Sequence, residues 1–106
     1  MPDPTETPGG EIKRSEHARL RFGQGRPIAL VINDVQKAGH NDIFVQADDR
    51  RYVVRGQKGR EHIIEADGEH VTSVRRSDAA HKVRLGDGTI RPANDEEFER
   101  LKDFVK

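Results

Sequence analysis

The stretch IFVQADDRRYVVRGQKGREHIIEADGEHVTSVRR, residues 43–76, decides the fold. From residue 42 onward the hydrophobic period is two, the signature of half-buried strands. Residues 43–47 and 51–55 are joined by Asp48-Asp49, a hairpin signal. Gln57-Lys58-Gly59 turns the chain into residues 61–66, and Asp67-Gly68 turns it again into residues 69–76. The expected product is a four-stranded antiparallel meander. In its last strand, alternation sends Val71 and Ser73 to one face and Thr72 and Val74 to the other.

Before the meander, Pro27 suits the first turn of a helix, where its missing N–H costs nothing. Ile28, Val31, Ile32 and Val35 follow the i, i+3, i+4, i+7 spacing of a buried stripe, which leaves Asn33, Asp34, Gln36 and Lys37 on the other face. Ala38-Gly39 stops this helix. Further upstream, Ser15 caps a short helix through His17, Leu20 and Arg21, ended by Gly23-Gln24-Gly25. Residues 1–11, polar with three prolines and a glycine pair, read as a disordered leader or a junction to something upstream. Residues 12–106 read as a single α+β domain.

After the meander, residues 82–85 and 89–91 are expected to form an extra β-hairpin about Gly86-Asp87-Gly88, with Pro92 blocking further pairing. Asn94 caps a C-terminal helix that carries Glu96 and Glu97 in its first turn. Phe98, Leu101 and Val105 supply its buried stripe, with Phe104 beside it. Two N-terminal helices, a meander, a hairpin and a closing helix make an α+β order, because no crossover helix separates neighbouring strands.

Composition limits the core. Of 106 residues, 32% are hydrophobic and 36% charged, so the core is small and a partner's contribution to stability is expected. The absence of cysteine excludes disulfide frameworks and thiolate chemistry. No apolar run reaches membrane-spanning length, and the start Met1-Pro2-Asp3-Pro4 has no signal-peptide pattern, so a soluble chain with no membrane partner is expected. The zero net charge hides an asymmetry: residues 12–60 carry 11 Lys+Arg against 5 Asp+Glu, and residues 61–106 carry 8 against 11. The basic excess covers the His17 segment and the first strands, which fits a local site for a polyanion.

His17 and Arg21, four apart, share one face of a helix. A titratable imidazole beside a permanent cation suits phosphate-ester chemistry; the plain alternative is a solvated helix. His17-Ala18-x-x-Arg21, the apolar helix opened by Pro27-Ile28, and the closing strand Val71-Thr72-Ser73-Val74 resemble a small bacterial family of toxin-like domains of unknown function. That family is similar to the RelE-like and barnase/EndoU/colicin/RelE group of toxin folds, and the resemblance spans roughly residues 14–76. The turn between the helices reads Gly25-Arg26-Pro27 where the family tends to Arg-Gly-Ile, and the neutral charge differs from strongly basic, ribosome-dependent relatives. Members of the wider group are often metal-independent ribonucleases, as toxins of toxin–antitoxin pairs or as warheads of polymorphic toxins. The resemblance implies His17 and Arg21 as a first-helix pair and Thr72 as a terminal-strand threonine. It also implies RNA as substrate, an acidic antitoxin or immunity protein as partner, and a cytoplasmic location or delivery to a target cytoplasm.

Cleavage of RNA by its own 2′-hydroxyl needs a base, a cation for the developing phosphorane charge and an acid for the leaving oxygen. His17 is read as base or acid, with His62 as its competitor. Arg21 and Arg55 are read as phosphate clamps, and Thr72 and Tyr52 as hydroxyl orienters. Each has a bland counterpart: Tyr52 as strand packing, Thr72 as a common strand former, and one residue of each doublet, Arg50-Arg51 and Arg75-Arg76, facing solvent. His40 follows a helix end and complements its dipole; His70 and His81 border turns and are expected to be exposed. No His-x-x-x-His spacing appears on one element, and neither a metal nor another cofactor is expected. The competing function is a non-catalytic binding module, an antitoxin, immunity protein or phage-encoded inhibitor, whose acidic Asp95-Glu96-Glu97 meets a basic partner.

Overall fold

The period-two stretch is realised as four strands: β1 (Ile43–Gln46), β2 (Tyr52–Arg55), β3 (Arg60–Ile64) and β4 (His70–Arg75). The computed structural model describes residues 19–23 and 28–106. Each strand pairs antiparallel with the next, through Phe44 opposite Val53, Val53 opposite Ile63 and Ile63 opposite Thr72. Lys58 and Gly59 turn β2 into β3 with φ of 59° and 77°. The meander is therefore present as expected, with one irregularity. The register slips between Ile63 and Ile64, which face Thr72 and His70, so Val71 is the extra residue of a β-bulge. Val71 packs with Phe44 and Ile63 on one face, whereas Ser73 reaches His62 on the other. The alternation that put Val71 and Ser73 together fails because the bulge resets it.

The helix expected after Pro27 is α1 (Ile28–Lys37), with Val31 and Val35 fully buried and Lys37 in its last turn. Asp34, expected on the polar face, is only 7% exposed. The earlier helix is not formed where the chain is described: Arg21 makes a parallel bridge with Glu69, donating its N–H to the Gly68 carbonyl and accepting from His70 N–H. His17 lies outside the described residues.

The expected second hairpin is replaced by a helix and a strand. Ser77 caps α2 (Asp78–Gly86), its hydroxyl accepting from Ala80 N–H at 3.1 Å. His81, Arg84 and Leu85 then follow i, i+3, i+4 and face the sheet, a spacing that outweighs the short alternation of residues 82–85. Gly86-Asp87-Gly88 ends this helix rather than turning a hairpin. The chain then enters β5 (Ile90–Pro92), which pairs antiparallel with β1. The sheet is five-stranded, ordered β4-β3-β2-β1-β5, and α2 carries the chain from one edge to the other. Asn94 caps α3 (Asp95–Asp103) in a capping box with Glu97, as expected.

The result is an α+β domain with both faces of the sheet covered. On one face Val31 and Val35 of α1 and Leu101 of α3 close over Ile43, Val45, Tyr52, Val54 and Ile64. On the other, Phe44, Val53, Ile63 and Ile90 form a smaller cluster with Val71 and with Leu85 of α2. No helix among the described residues is long and apolar enough to cross a membrane.

Candidate functional site

Consecutive residues of β3 point to opposite faces, and both are polar and fully buried: Glu61 and His62. Each organises a cluster. Beneath α2, Glu61 accepts from Arg55 Nη1 and, at 2.8 Å, from Arg76 Nε. Arg84 Nη1 and His81 Nδ1 each stand 3.6 Å from the same carboxylate, buried and without hydrogen-bond partners. Asp78 takes the far side of Arg55 at 3.0 Å. Three guanidinium groups thus crowd one enclosed carboxylate, so the cluster carries an excess of positive charge. Burial, with the Arg55 cation beside it, holds the His81 imidazole below its ordinary pKa. His81 also packs edge-on against Phe44, ring centres 4.6 Å apart.

Arg55 continues to the surface. It lines a hollow of about 580 Å³ together with Lys58 and Gly59 of the β2–β3 turn and Arg75, Arg76 and Ser77 before α2. Four cations face two carboxylates there, Asp42 and Asp78. A smaller adjoining hollow of about 320 Å³ adds Lys37 and Arg60.

Beneath α1, the arrangement is balanced. Asp34 receives a fork from Arg60, Nε at 3.0 Å and Nη2 at 3.1 Å, and meets His62 Nε2 at 2.7 Å. Burial pushes the Asp34 carboxyl up, but the hydrogen bonds and charges of Arg60 and His62 outweigh it and leave its pKa below the ordinary value. His62 Nδ1 lies 2.6 Å from Ser73 Oγ, which in turn lies 2.9 Å from His70 Nε2.

The residues singled out from the sequence fall in four places. Arg55 is central to the Glu61 cluster, and Thr72 lies half-buried on the same face, opposite Ile63. His62 and Tyr52 are on the α1 face; Tyr52 is 2% exposed and packs edge-on against Phe104, which is the packing reading. Arg21 pairs with Asp67 at 3.1 Å beside the β3–β4 turn, about 13 Å along the sheet from Glu61 on strand spacing. His17 falls outside the described residues. The five described residues therefore do not converge on one hollow.

His70 is 3% exposed and the His81 side chain 12%, so neither is the exposed turn residue expected. His40 does follow α1, but its Nε2 bonds the Ala93 carbonyl at 2.7 Å and its ring stacks on Phe98. Asp34, Glu61, Ser73, His81 and Arg84 carry the clusters and were not read as site residues. Glu61-His62 ahead of Ile63-Ile64 is the signal for two of them: adjacent ionisable residues in a buried strand must both find partners. No group of His, Cys, Asp and Glu that would hold a metal occurs among the described residues. Comparison with protein-family models, with characterised proteins and with solved structures finds no match to this chain.

Proposed function

We propose that the chain is a toxin-like domain that binds RNA by its phosphodiester backbone and cleaves it without a metal, by attack of the 2′-hydroxyl. The observation that supports this reading is the hollow lined by Arg55, Lys58, Arg75 and Arg76, whose positive charge exceeds that of the carboxylates Asp42 and Asp78 beside it, with a guanidinium cluster only partly compensated by Glu61 and Asp78 beneath it. Guanidinium forks match phosphate oxygens, and a surplus of buried cations favours an incoming anion. Glu61 and Asp78 are the carboxylates in contact with Arg55, and His81, 3.6 Å from Glu61, is the imidazole of this cluster. A neutral His81 accepts the 2′-hydroxyl proton as the O2′–P bond forms, Arg55 stabilises the phosphorane charge, and the imidazolium returns the proton to the 5′-oxygen as the P–O5′ bond breaks.

Lys58→Ala with Arg75→Ala tests the binding step, since both residues are exposed and no buried pair is broken. Fluorescence anisotropy on a single-stranded RNA should give weaker binding and a salt dependence shallower by about 1.4, or about 0.7 for each lost phosphate contact. Unchanged affinity and slope would remove the hollow as the RNA site. Cleavage should persist in chelator, leave cyclic phosphate ends and disappear in His81→Gln.

One observation favours a second reading, binding without cleavage. Glu61 is fully enclosed, so a substrate must displace a guanidinium to reach it. On this reading the hollow holds an acidic antitoxin or immunity protein, and RNA stays intact at every enzyme concentration. The acidic turn of α3 suits a basic partner less well: Glu97 is already committed to Arg91 at 2.8 Å and to Asn94 N–H, leaving Asp95 and Glu96 outward.

A further inference from the structure

The hydroxyl of Ser73 stands at the surface end of a hydrogen-bonded chain that runs inward through three elements. Ser73 is an exposed residue of the edge strand β4. Its Oγ lies 2.6 Å from Nδ1 of His62 on β3, and Nε2 of that ring lies 2.7 Å from Oδ2 of Asp34 on α1. His62 is fully buried and Asp34 is 7% exposed.

Proton positions follow from chemistry. An ionised Asp34 only accepts, so Nε2 of His62 donates to it. In the neutral ring Nδ1 is then an acceptor, and the Ser73 hydroxyl is its donor. Since a hydroxyl has a single proton, the contact of Ser73 Oγ with His70 Nε2, at 2.9 Å, is donated by His70. The serine proton is aimed at a base whose other nitrogen is fixed by a carboxylate, and Arg60 forks that carboxylate in place. The β-bulge at Val71 makes this arrangement: without it, residues 70 and 73 would face opposite sides of the sheet.

We infer that Ser73 is an activated nucleophile that accepts an acyl group from an activated ester, with His62 as its base and Asp34 as the positioning carboxylate. In the step, a bond forms between Ser73 Oγ and the ester carbonyl carbon and the ester C–O bond breaks. The serine proton passes to His62 Nδ1 and from there to the departing alkoxide. The reaction is independent of RNA binding, since Ser73 lies on the α1 face, away from the Glu61 cluster.

A fluorophosphonate probe on the full chain tests the inference: Oγ–P forms, P–F breaks and fluoride leaves. Peptide mapping should place one adduct on Ser73, formed on the order of 10²-fold faster than any on Ser77, whose hydroxyl only caps α2. Para-nitrophenyl acetate should give a burst of about one equivalent of nitrophenolate per chain. Ser73→Ala, which alters one exposed side chain, should abolish adduct and burst while leaving RNA affinity unchanged, and His62→Gln should do the same where circular dichroism shows it folded. No adduct, or labelling shared evenly between Ser73 and Ser77, overturns the inference.

Discussion

The two faces of β3 handle a buried charge in opposite ways. Beneath α1, Asp34 has one permanent cation, Arg60, and a neutral-capable imidazole, His62, so charge and hydrogen bonds close on themselves. Beneath α2, Glu61 has Arg55, Arg76 and Arg84 around it, with His81 at the same distance as Arg84. A closed network fixes a helix against a sheet; an unbalanced one, here three guanidinium groups against the buried Glu61 and the exposed Asp78, keeps a surplus of positive charge. The first network is closed by its own charges, and the second is the one on which the proposed RNA site draws.

Removing each anion should expose that difference. Glu61→Gln keeps the shape but leaves Arg76 and Arg84 without their anion and Arg55 with Asp78 alone, and should cost about 3–5 kcal/mol. The thermal midpoint should fall steeply, and added sulfate should restore part of it by occupying the vacated charge position. A variant as stable as the parent, or indifferent to sulfate, would dissolve the distinction between the faces. Asp34→Asn should cost less, about 2–3 kcal/mol, because one guanidinium, Arg60, loses its partner instead of several. Sulfate should not rescue it.

Two glycines sharpen the contrast without touching charge. A Cβ at Gly56 would stand 2.5 Å from Asp34 Oδ2, and one at Gly59 2.8 Å from the Arg76 carbonyl. Gly59 also has φ +77°, a conformation other residues adopt at a cost. Each alanine substitution should cost about 1–3 kcal/mol. Gly56 also borders the hollow, so Gly56→Ala should slow Ser73 labelling more than it weakens RNA binding, whereas Gly59→Ala should do the reverse. The same effect of both on both readouts would show one coupled site instead of two.

The smallest effect is expected in acid, on the side where α1 and α3 pack. The hydrogen bond and charge of Arg91 hold Glu97 down to about 2 from 4.5, and Asp34 is also depressed. A carboxyl depressed by folding contributes stability above its ordinary pKa and loses it as pH falls through the folded value. The Glu97 contribution should therefore fade between pH 4.5 and about 2, by on the order of 1 kcal/mol after screening at the half-exposed Arg91. Glu97→Gln should flatten that part of a plot of thermal midpoint against pH.

Much of the fold was legible because its signals are local. The turns Asp48-Asp49, Gln57-Lys58-Gly59 and Asp67-Gly68 placed the meander, the Val31/Val35 stripe placed α1, and Asn94 with Glu97 placed α3. Lys82-Val83-Arg84-Leu85 alternates like a hairpin strand over four residues, too short a run to outweigh the Ser77 cap and the contacts of His81 and Leu85 that make it helical. The clusters were legible only at Arg55 on one face and His62 on the other. Asp34 looked like a solvent residue because helical spacing reports which face is apolar, and says nothing of a histidine and arginine waiting on the sheet beneath it.

The order of residues by itself determined an α+β chain, its meander, two of the three α-helices among the described residues and a basic excess in residues 12–60. Tertiary structure decided which charges became partners. Residues 34, 62 and 73 meet because a helix crosses two paired strands, and 55, 61, 76 and 84 because another helix folds back over the opposite face. Such encounters depend on strand register and on a single bulged residue, long-range features that no local pattern encodes.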